Sequence, residues 1–460
     1  MTSAIETTID LRRPLRIHVV GIGGAGMSAI AAVLAAMGHD VTGSDIKASG
    51  SVERLAARGI EVSIGHRAEN VARAQVLTYS SAISEHNVEV SEARRINIPV
   101  LARSQMLEAI VALRRTIAIA GTHGKTTTSS MLSLVLAEAG LRPSFIIGGE
   151  VNEIGTNASW DSGELLVVEA DESDGTFLHL SPELGIVTSV EPDHIEHYGS
   201  FDALKEAFGT FFGQLGTAIV CADDPVASSL APPGALTYGT APGAQVRIDA
   251  FESGRNHLRF ELWHGAEPLG VFELPVPGVH NARNAAAAVA ACICLGVDPD
   301  HARRALSRFA GVARRFEFRG EAGGVTFVDD YAHLPGEVSV AVGAARGGGF
   351  QRIICVFQPH RYSRVATLAP QFADAFEGAD IVAVTDIYPA GETPRPGVSG
   401  KLVLDAIVRA HPETRAVYVP NRDDLVNYLR AILRPGDLCL TLAAGDLTNL
   451  AAELAPNGRA

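Results

Sequence analysis

The sequence predicts an α/β fold of three domains: an N-terminal Rossmann-like domain, a central P-loop ATPase-like parallel sheet with a small antiparallel patch, and a C-terminal Rossmann-like domain. Three observations carry this. Short apolar runs alternate with helical patterns along the chain, which is the sign of mostly parallel sheets. Two of these runs end in glycine loops that open helices, at Gly21 and at Gly121. The length of 460 residues exceeds one ordinary domain and, at about 150 residues per domain, gives roughly three.

From Arg16 the order is an apolar strand (Ile17 to Val20), a glycine loop, a helix of small residues (Met27 to Met37) and a strand ending at Asp45. Further strands are expected at Val76 to Tyr79, Val100 to Ala102, Thr116 to Ala120, Leu165 to Val168 and Gly185 to Val190. Ala241 to Leu274 alternates in short stretches such as LRFELW, the pattern of an antiparallel patch, and His280 to Cys294 is an alanine-rich helix. A third set of strands follows at Val325 to Val328, Arg352 to Phe357, Ile381 to Val384, Ala416 to Val419 and Leu438 to Leu442. The expected domains are 1–114, 115–314 and 315–460.

Apolar residues make up 47% and charged residues 20%, enough for well-formed cores. The net charge of -14 would repel a nucleic-acid backbone, so no nucleic-acid partner is expected. Met1 to Arg16 lacks the apolar centre of a leader and no run of about 18 apolar residues follows. A cytoplasmic protein without a membrane partner is therefore expected; the sequence is silent on oligomeric state. Cys221, Cys292, Cys294, Cys355 and Cys439 form no CxxC pair and lie among apolar residues, so buried reduced thiols are expected.

Gly21, Gly23 and Gly26 make GxGxxG after a strand, with Asp45 at the spacing of about 20 residues at which a dinucleotide fold holds a ribose. Alone this would suggest a dehydrogenase, or only close packing of helix on strand. Ser80 and Ser81 end another strand and could line the same crevice. The second loop, AIAGTHGKTTTS, is stronger. Gly121 and Gly124 let the backbone turn and aim its N–H groups at an anion, with Thr122 and His123 between them. Lys125 can neutralise outer phosphates, Thr126 can place a hydroxyl on Mg²⁺, and Thr127 suits a helix start. The loop reads GxxGKT rather than GxxxxGK[ST], with Ile119 where the first glycine would stand.

Glu169 opens the acidic run EADESD at a strand end, where a hard cation would be held, and His194 in EPDH could reach a second ion. A solvated acidic loop and a surface histidine are the bland alternatives. His280, Asn281 and Asn284 either read an adenine edge or cap their helix. Arg314 could reach a terminal phosphate. Asp330, Tyr331 and His333 follow a strand, and Arg361 and Arg364 end another, where two arginines could clamp a small carboxylate.

Together GTHGKTTT, EADESD, EPDHIEHYG, HNARNA, GVARRFE, DDYAH and QPHRYSR resemble the Mur ligases, a likeness running from Gly21 to about Gly397. The resemblance implies ATP-dependent joining of L-alanine to UDP-N-acetylmuramate through an acyl phosphate, and no nicotinamide. Gly21, Gly23, Gly24, Ala25, Gly26, Met27, Asp45, Ser80 and Ser81 would face the UDP-sugar. Gly121 to Thr127 would hold ATP, with His280, Asn281 and Asn284 at the adenine and Asp330 at the ribose. Thr126, Glu169 and His194 would hold two Mg²⁺ ions, and Tyr331, His333, Arg361 and Arg364 would surround alanine. Lys125, Arg314 and His333 are the expected catalytic residues, His333 as base or orienting group. The chain departs from the family pattern at His333-Leu334-Pro335-Gly336-Glu337, where a second histidine and Pro-Thr-Glu are usual. A murein tripeptide acceptor and a non-catalytic nucleotide-binding relative are the rival readings.

Overall fold

The computed structural model describes residues 9–152, 154–255 and 257–454; residues 1–8, part of the segment read for a leader, lie outside these. Three sheets organise the chain. The first has five strands in the order Glu61–Ile64, Asp40–Asp45, Arg16–Val20, Val76–Tyr79 and Val100–Ala102, all parallel. Chain order reverses between Arg16–Val20 and Val76–Tyr79. In such sheets the crevice at the carboxyl ends of the diverging strands receives ligands, and Gly21 and Ser80 stand there.

The second sheet has ten strands. Its centre is Arg115–Ala120, flanked in parallel by Leu165–Glu169 on one side and Leu184–Val187 on the other. The sequences RTIAIA, LLVVE and LGIV explain this position, because a strand covered on both faces must be apolar almost throughout. Val246–Ser253, Leu258–His264 and Glu267–Leu274 are neighbours at one edge. The links between them are too short for a parallel crossover, which makes this the expected antiparallel patch.

The third sheet runs Glu317–Ala322, Val325–Asp330, Asp437–Ala443, Arg352–Gln358, Ile381–Val384 and Arg415–Tyr418, parallel apart from its antiparallel first edge. The chain divides into two compact units, residues 1–249, 261–272 and 283–307 in one, and 250–260, 273–282 and 308–460 in the other. Each has its own apolar core, with Ile117, Ala118, Val168 and Ile186 in the first unit and Val356, Phe357, Leu440 and Leu442 in the second.

Three expectations change. The strand expected to reach Val190 stops at Val187; Thr188 N still donates to Ala120 O at 3.0 Å, while its Oγ1 turns to the glycine loop and donates to His123 O at 2.5 Å and to Ala120 O at 3.2 Å. All five cysteines are free, but Cys294 is exposed rather than buried, since it ends the helix Val279–Cys294 where the buried face runs out. Glu61–Ile64, the hairpin Ser144–Val151 and Thr156–Ser159, and Glu317–Ala322 join the sheets without having been expected. No helix among the described residues is long and apolar enough to cross a membrane.

Candidate active site

In the first unit, the loop after Arg16–Val20 is held by its own sheet. Gly21 N and Ile22 N donate to Ser44 O at 2.8 and 3.1 Å, with Gly21 at a φ of 75° that glycine adopts freely. Asp45 accepts from Gly23 N at 2.8 Å, so this carboxylate shapes the loop. The helix Ala25–Ala36 starts at Gly24 with no side-chain cap, leaving first-turn N–H groups for an anion. The Met27 side chain is buried in the core, so only its backbone can face a ligand. Ser80 and Ser81 follow the neighbouring strand; Ser80 Oγ accepts from Ala82 N at 3.3 Å and Ser81 is exposed.

Behind this loop lies a buried carboxylate. Glu89 is fully buried, accepts from Ser44 Oγ at 2.5 Å, from Asn70 Nδ2 at 2.5 Å and from Arg67 N at 3.2 Å, and lies 3.1 Å from His66 Nδ1. Burial opposes its charge, yet hydrogen bonds from His18, Ser44 and Asn70 prevail and bring its pKa down to about 2.

The second loop follows Arg115–Ala120 at the centre of its sheet. Gly121 and Gly124 have φ of 127° and 81°, and Gly124 opens the helix Lys125–Glu138, again without a side-chain cap. Asn284 stands beside Gly124: a Cβ there would meet its Oδ1 at 2.6 Å, and Thr128 Oγ1 donates to the same oxygen at 3.3 Å. Thr122 and His123 tie the loop to the next strand end, through Glu191 N to Thr122 Oγ1 at 2.9 Å, His123 N to Ser189 Oγ at 3.0 Å and His123 Nε2 beside Glu191 at 3.2 Å. Thr126 and Thr127 are buried in the first turn.

Lys125 folds back on its own loop. Its Nζ donates to Gly121 O at 2.6 Å and to Glu172 Oε1 at 2.8 Å. Burial disfavours its charge, but Glu172, Asp171 and Glu169 outweigh that and raise its pKa, so Lys125 stays protonated. Burial likewise pushes Glu172 up to about 7, against the pull of Lys125 and with Asp171 adding repulsion. A protonated lysine held by a carboxylate this easily neutralised can be handed to a stronger anion such as phosphate.

Thr126 Oγ1 donates to Glu169 Oε1 at 3.2 Å, and Glu169 Oε2 accepts from Gly148 N at 2.8 Å. A hydroxyl beside a carboxylate at a phosphate loop is the hard oxygen donor set that Mg²⁺ takes when phosphates and water complete its shell. No group of three or more His, Cys, Asp or Glu side chains is arranged to hold a metal among the described residues. His194 follows the next strand, at a φ of 54°, with Nε2 3.1 Å from Asp193 Oδ2. Asn281 Nδ2 donates to Pro277 O at 2.7 Å, which gives it a role in fixing the start of its helix; the ring of His280 lies where a Cβ on Gly278 would stand.

In the second unit the loops after Val325–Asp330 and Arg352–Gln358 meet. Arg314 lies over the Tyr331 ring at 4.8 Å and donates from Nη2 to Ala443 O and Gly445 O at 2.7 and 3.2 Å. Asp330 accepts from Phe316 N and Ala332 N, both at 2.7 Å, and burial raises it to about 6 despite Arg315 and these bonds. The His333 ring stands edge-on to Tyr331 and to His360, at 5.4 and 5.5 Å, and its Nδ1 is 3.2 Å from Glu337 Oε2. His360 stacks on Tyr388 at 5.7 Å and takes a hydrogen bond from Arg364 Nη1 at 3.1 Å. An arginine only donates, so His360 Nδ1 must accept; burial first, then His333, Arg364 and Arg361, press His360 down to about 3, which keeps it neutral. Arg361, at a φ of 66°, donates its N–H to Tyr388 O at 2.9 Å.

Tyr331, His333, Arg361 and Arg364 thus belong to one cluster, to which His360 and Tyr388 must be added. His360 lies inside the PHRYSR run, but Tyr388 joins only through folding. Leu334 is 5% exposed and packs in the core with Val338 and Val328, so this one of the two departures from the family pattern, the other being Gly336, falls on a packing position. Sequence reasoning also missed Glu172 as the partner of Lys125, and Arg103, whose Nη1 lies 3.1 Å from Asp174.

Comparison with known proteins finds one family along the chain. Residues 16–115 match the Mur ligase family catalytic domain, 119–292 the Mur ligase middle domain and 314–445 the Mur ligase glutamate ligase domain. A UDP-N-acetylmuramate–L-alanine ligase of Anaeromyxobacter sp. (strain Fw109-5) is 47% identical over 96% of this chain and 97% of its own length. One of Rubrobacter xylanophilus is 46% identical over 96% and 99%. The crystal structure of the UDP-N-acetylmuramate-alanine ligase of Thermotoga maritima superposes with a TM-score of 0.81 at 28% identity, covering 96% of this chain and 98% of that one. A lysine-bearing glycine loop between two carboxylate-bearing strand ends, and three consecutive family domains along the chain, lead to one conclusion: this protein belongs to the Mur ligase family.

Proposed function

We propose that the protein joins L-alanine to the lactyl carboxylate of UDP-N-acetylmuramate, converting ATP to ADP and phosphate, as a cytoplasmic step of peptidoglycan precursor synthesis. The observation that carries this is the similarity of 47% over 96% of the chain to an L-alanine ligase. The Lys125–Glu172 and Thr126–Glu169 pairs supply the side chains that such chemistry needs.

On this reading the first loop holds the UDP diphosphate, with Asp45, Ser80 and Ser81 around the nucleotide, and the second holds ATP. The lactyl carboxylate attacks the γ-phosphorus of ATP, giving an acyl phosphate and ADP. Lys125 leaves Glu172 to offset charge on the transferring group, where fixed cations act most strongly, and Arg314 adds a second. When bound, Mg²⁺ held by Thr126, Glu169 and His194 would neutralise phosphate oxygens. Arg361 and Arg364 bind the alanine carboxylate, and His333 orients the amine or takes its proton as it displaces phosphate. Asn284, and with it His280 and Asn281, borders the adenine; Asp330 acts on the ribose side through the backbone that it holds. The domain limits of 1–114, 115–314 and 315–460 fit this division of labour.

The test is ADP release from purified protein with ATP and Mg²⁺, comparing UDP-N-acetylmuramate with L-alanine, glycine, L-serine, a murein tripeptide or no acceptor. Release that needs both the sugar and L-alanine is expected. Release only with the tripeptide would reassign the acceptor, and none in any well would reject a ligase.

A further inference from the structure

The acidic run after Glu169 carries more charge than the phosphate loop uses. Glu169 and Glu172 take Thr126 and Lys125, whereas Asp171 and Asp174 point to Arg103, whose Nη1 is 3.6 and 3.1 Å from them. Arg103 opens the helix Arg103–Val111 directly after the edge strand Val100–Ala102, so it stands at the carboxyl end of the first sheet. Its other edge rests on Gly26, where a Cβ would lie 3.0 Å from Nε and 3.3 Å from Nη2. Nε is buried and has no hydrogen-bond partner. Gly26 belongs to the first turn of Ala25–Ala36, the uncapped helix start of the first loop.

Lys125, Asp171 and Arg103 therefore form a line of alternating charge from one glycine loop to the other. Burial works against Asp171, but Lys125 and Arg103 prevail and hold its carboxyl below its usual range. The backbone of the acidic run is pinned too, through Ser173 N to Asp171 Oδ1 at 3.0 Å and Thr176 N to Asp174 Oδ1 at 3.1 Å.

We propose that Arg103 couples the two nucleotide sites: its Nε edge takes the diphosphate at the first loop while Nη1 keeps Asp171 and Asp174. Filling one loop then fixes the arginine on which the acidic run beside the other loop rests. The proposal rests on the assignment of UDP-sugar and ATP to the two loops. An arginine suits the task because its planar fork offers donors on two edges, whereas a lysine is a single point. Coupling of this kind is reciprocal, so each nucleotide tightens the other by the same factor.

The experiment is calorimetric titration of UDP-N-acetylmuramate into the full chain, without and with saturating AMP-PNP and Mg²⁺. In the wild type the second titration should be tighter by about fivefold or more. Arg103→Gln should weaken the sugar alone by about tenfold or more and bring the ratio to about one, with AMP-PNP alone bound within about twofold of wild type. Arg103→Lys should regain part of the sugar affinity but not the ratio. Should Arg103→Gln not fold, Asp174→Asn gives the independent test: sugar affinity alone within about twofold, ratio lost. A wild-type ratio in Arg103→Gln or Asp174→Asn, or a wild-type ratio of one with both ligands bound, overturns the coupling. A wild-type protein that binds no UDP-sugar overturns the loop assignment itself, and the coupling with it.

Discussion

The two glycine loops share one backbone plan and differ in what surrounds it. Each follows a buried parallel strand, turns through a positive-φ glycine and opens a helix with no side-chain cap. In the first, the nearest charge is Asp45, spent on Gly23 N, and no cation enters the loop from its own sequence. In the second, Lys125 sits inside the loop against Glu172, and Thr126 pairs with Glu169. Backbone alone thus makes an anion cradle, and side chains decide how much charge it can take. On our reading the first suits a diphosphate whose sugar does the discriminating, and the second a triphosphate with its metal.

Removing the cation should break the second loop most severely. Lys125→Ala should lower the rate of ADP release by about 10²–10³-fold, the scale for losing one preorganised charge donor, while circular dichroism stays that of the folded protein. Unchanged turnover would remove Lys125 from the chemistry.

The first loop depends instead on a buried support, because Glu89 holds Ser44, whose carbonyl holds Gly21 and Ile22. The folded pKa of Glu89 is depressed, so its contribution is full above the unfolded value of 4.5 and is lost as pH falls toward about 2. That shift corresponds to about 3 kcal/mol. Denaturant unfolding between those limits should show Glu89→Gln losing less stability with acid than the wild type; equal losses would mean that Glu89 is not the group responsible.

Asp45→Asn should raise the KM for the UDP-sugar by about tenfold and leave the KM for ATP alone, which would separate the two loops kinetically. A control outside both loops sharpens the contrast. Arg364→Lys keeps the charge but loses the fork that also serves His360, so the KM for L-alanine should rise by up to about tenfold with both nucleotide constants unchanged.

The loops were readable because their residues are close in sequence: a strand, glycines, a lysine and threonines within one run are enough to imply a phosphate site. The parallel strands were readable for a related reason, since RTIAIA or RIICVFQ has few other places to go. Edge strands were not, because EFRGEA in Glu317–Ala322 is largely solvent-facing and carries no apolar signal. Side-chain partners were hardest to foresee. Arg103 and Asp174 are brought together from different sheets, and His360 meets Tyr388 only when two strand ends align. The meaning of Leu334 was equally hidden, since a family-level mismatch reads as functional until its burial shows it to be packing.

On our reading one chain holds two different nucleotides on two similar loops. The most direct measurement is calorimetric stoichiometry with UDP-N-acetylmuramate and AMP-PNP·Mg²⁺, on the wild type and on Lys125→Ala. One of each should bind together without competition, with the variant losing AMP-PNP and keeping the UDP-sugar. Mutual displacement of the two ligands, or loss of both in the folded variant, would contradict it.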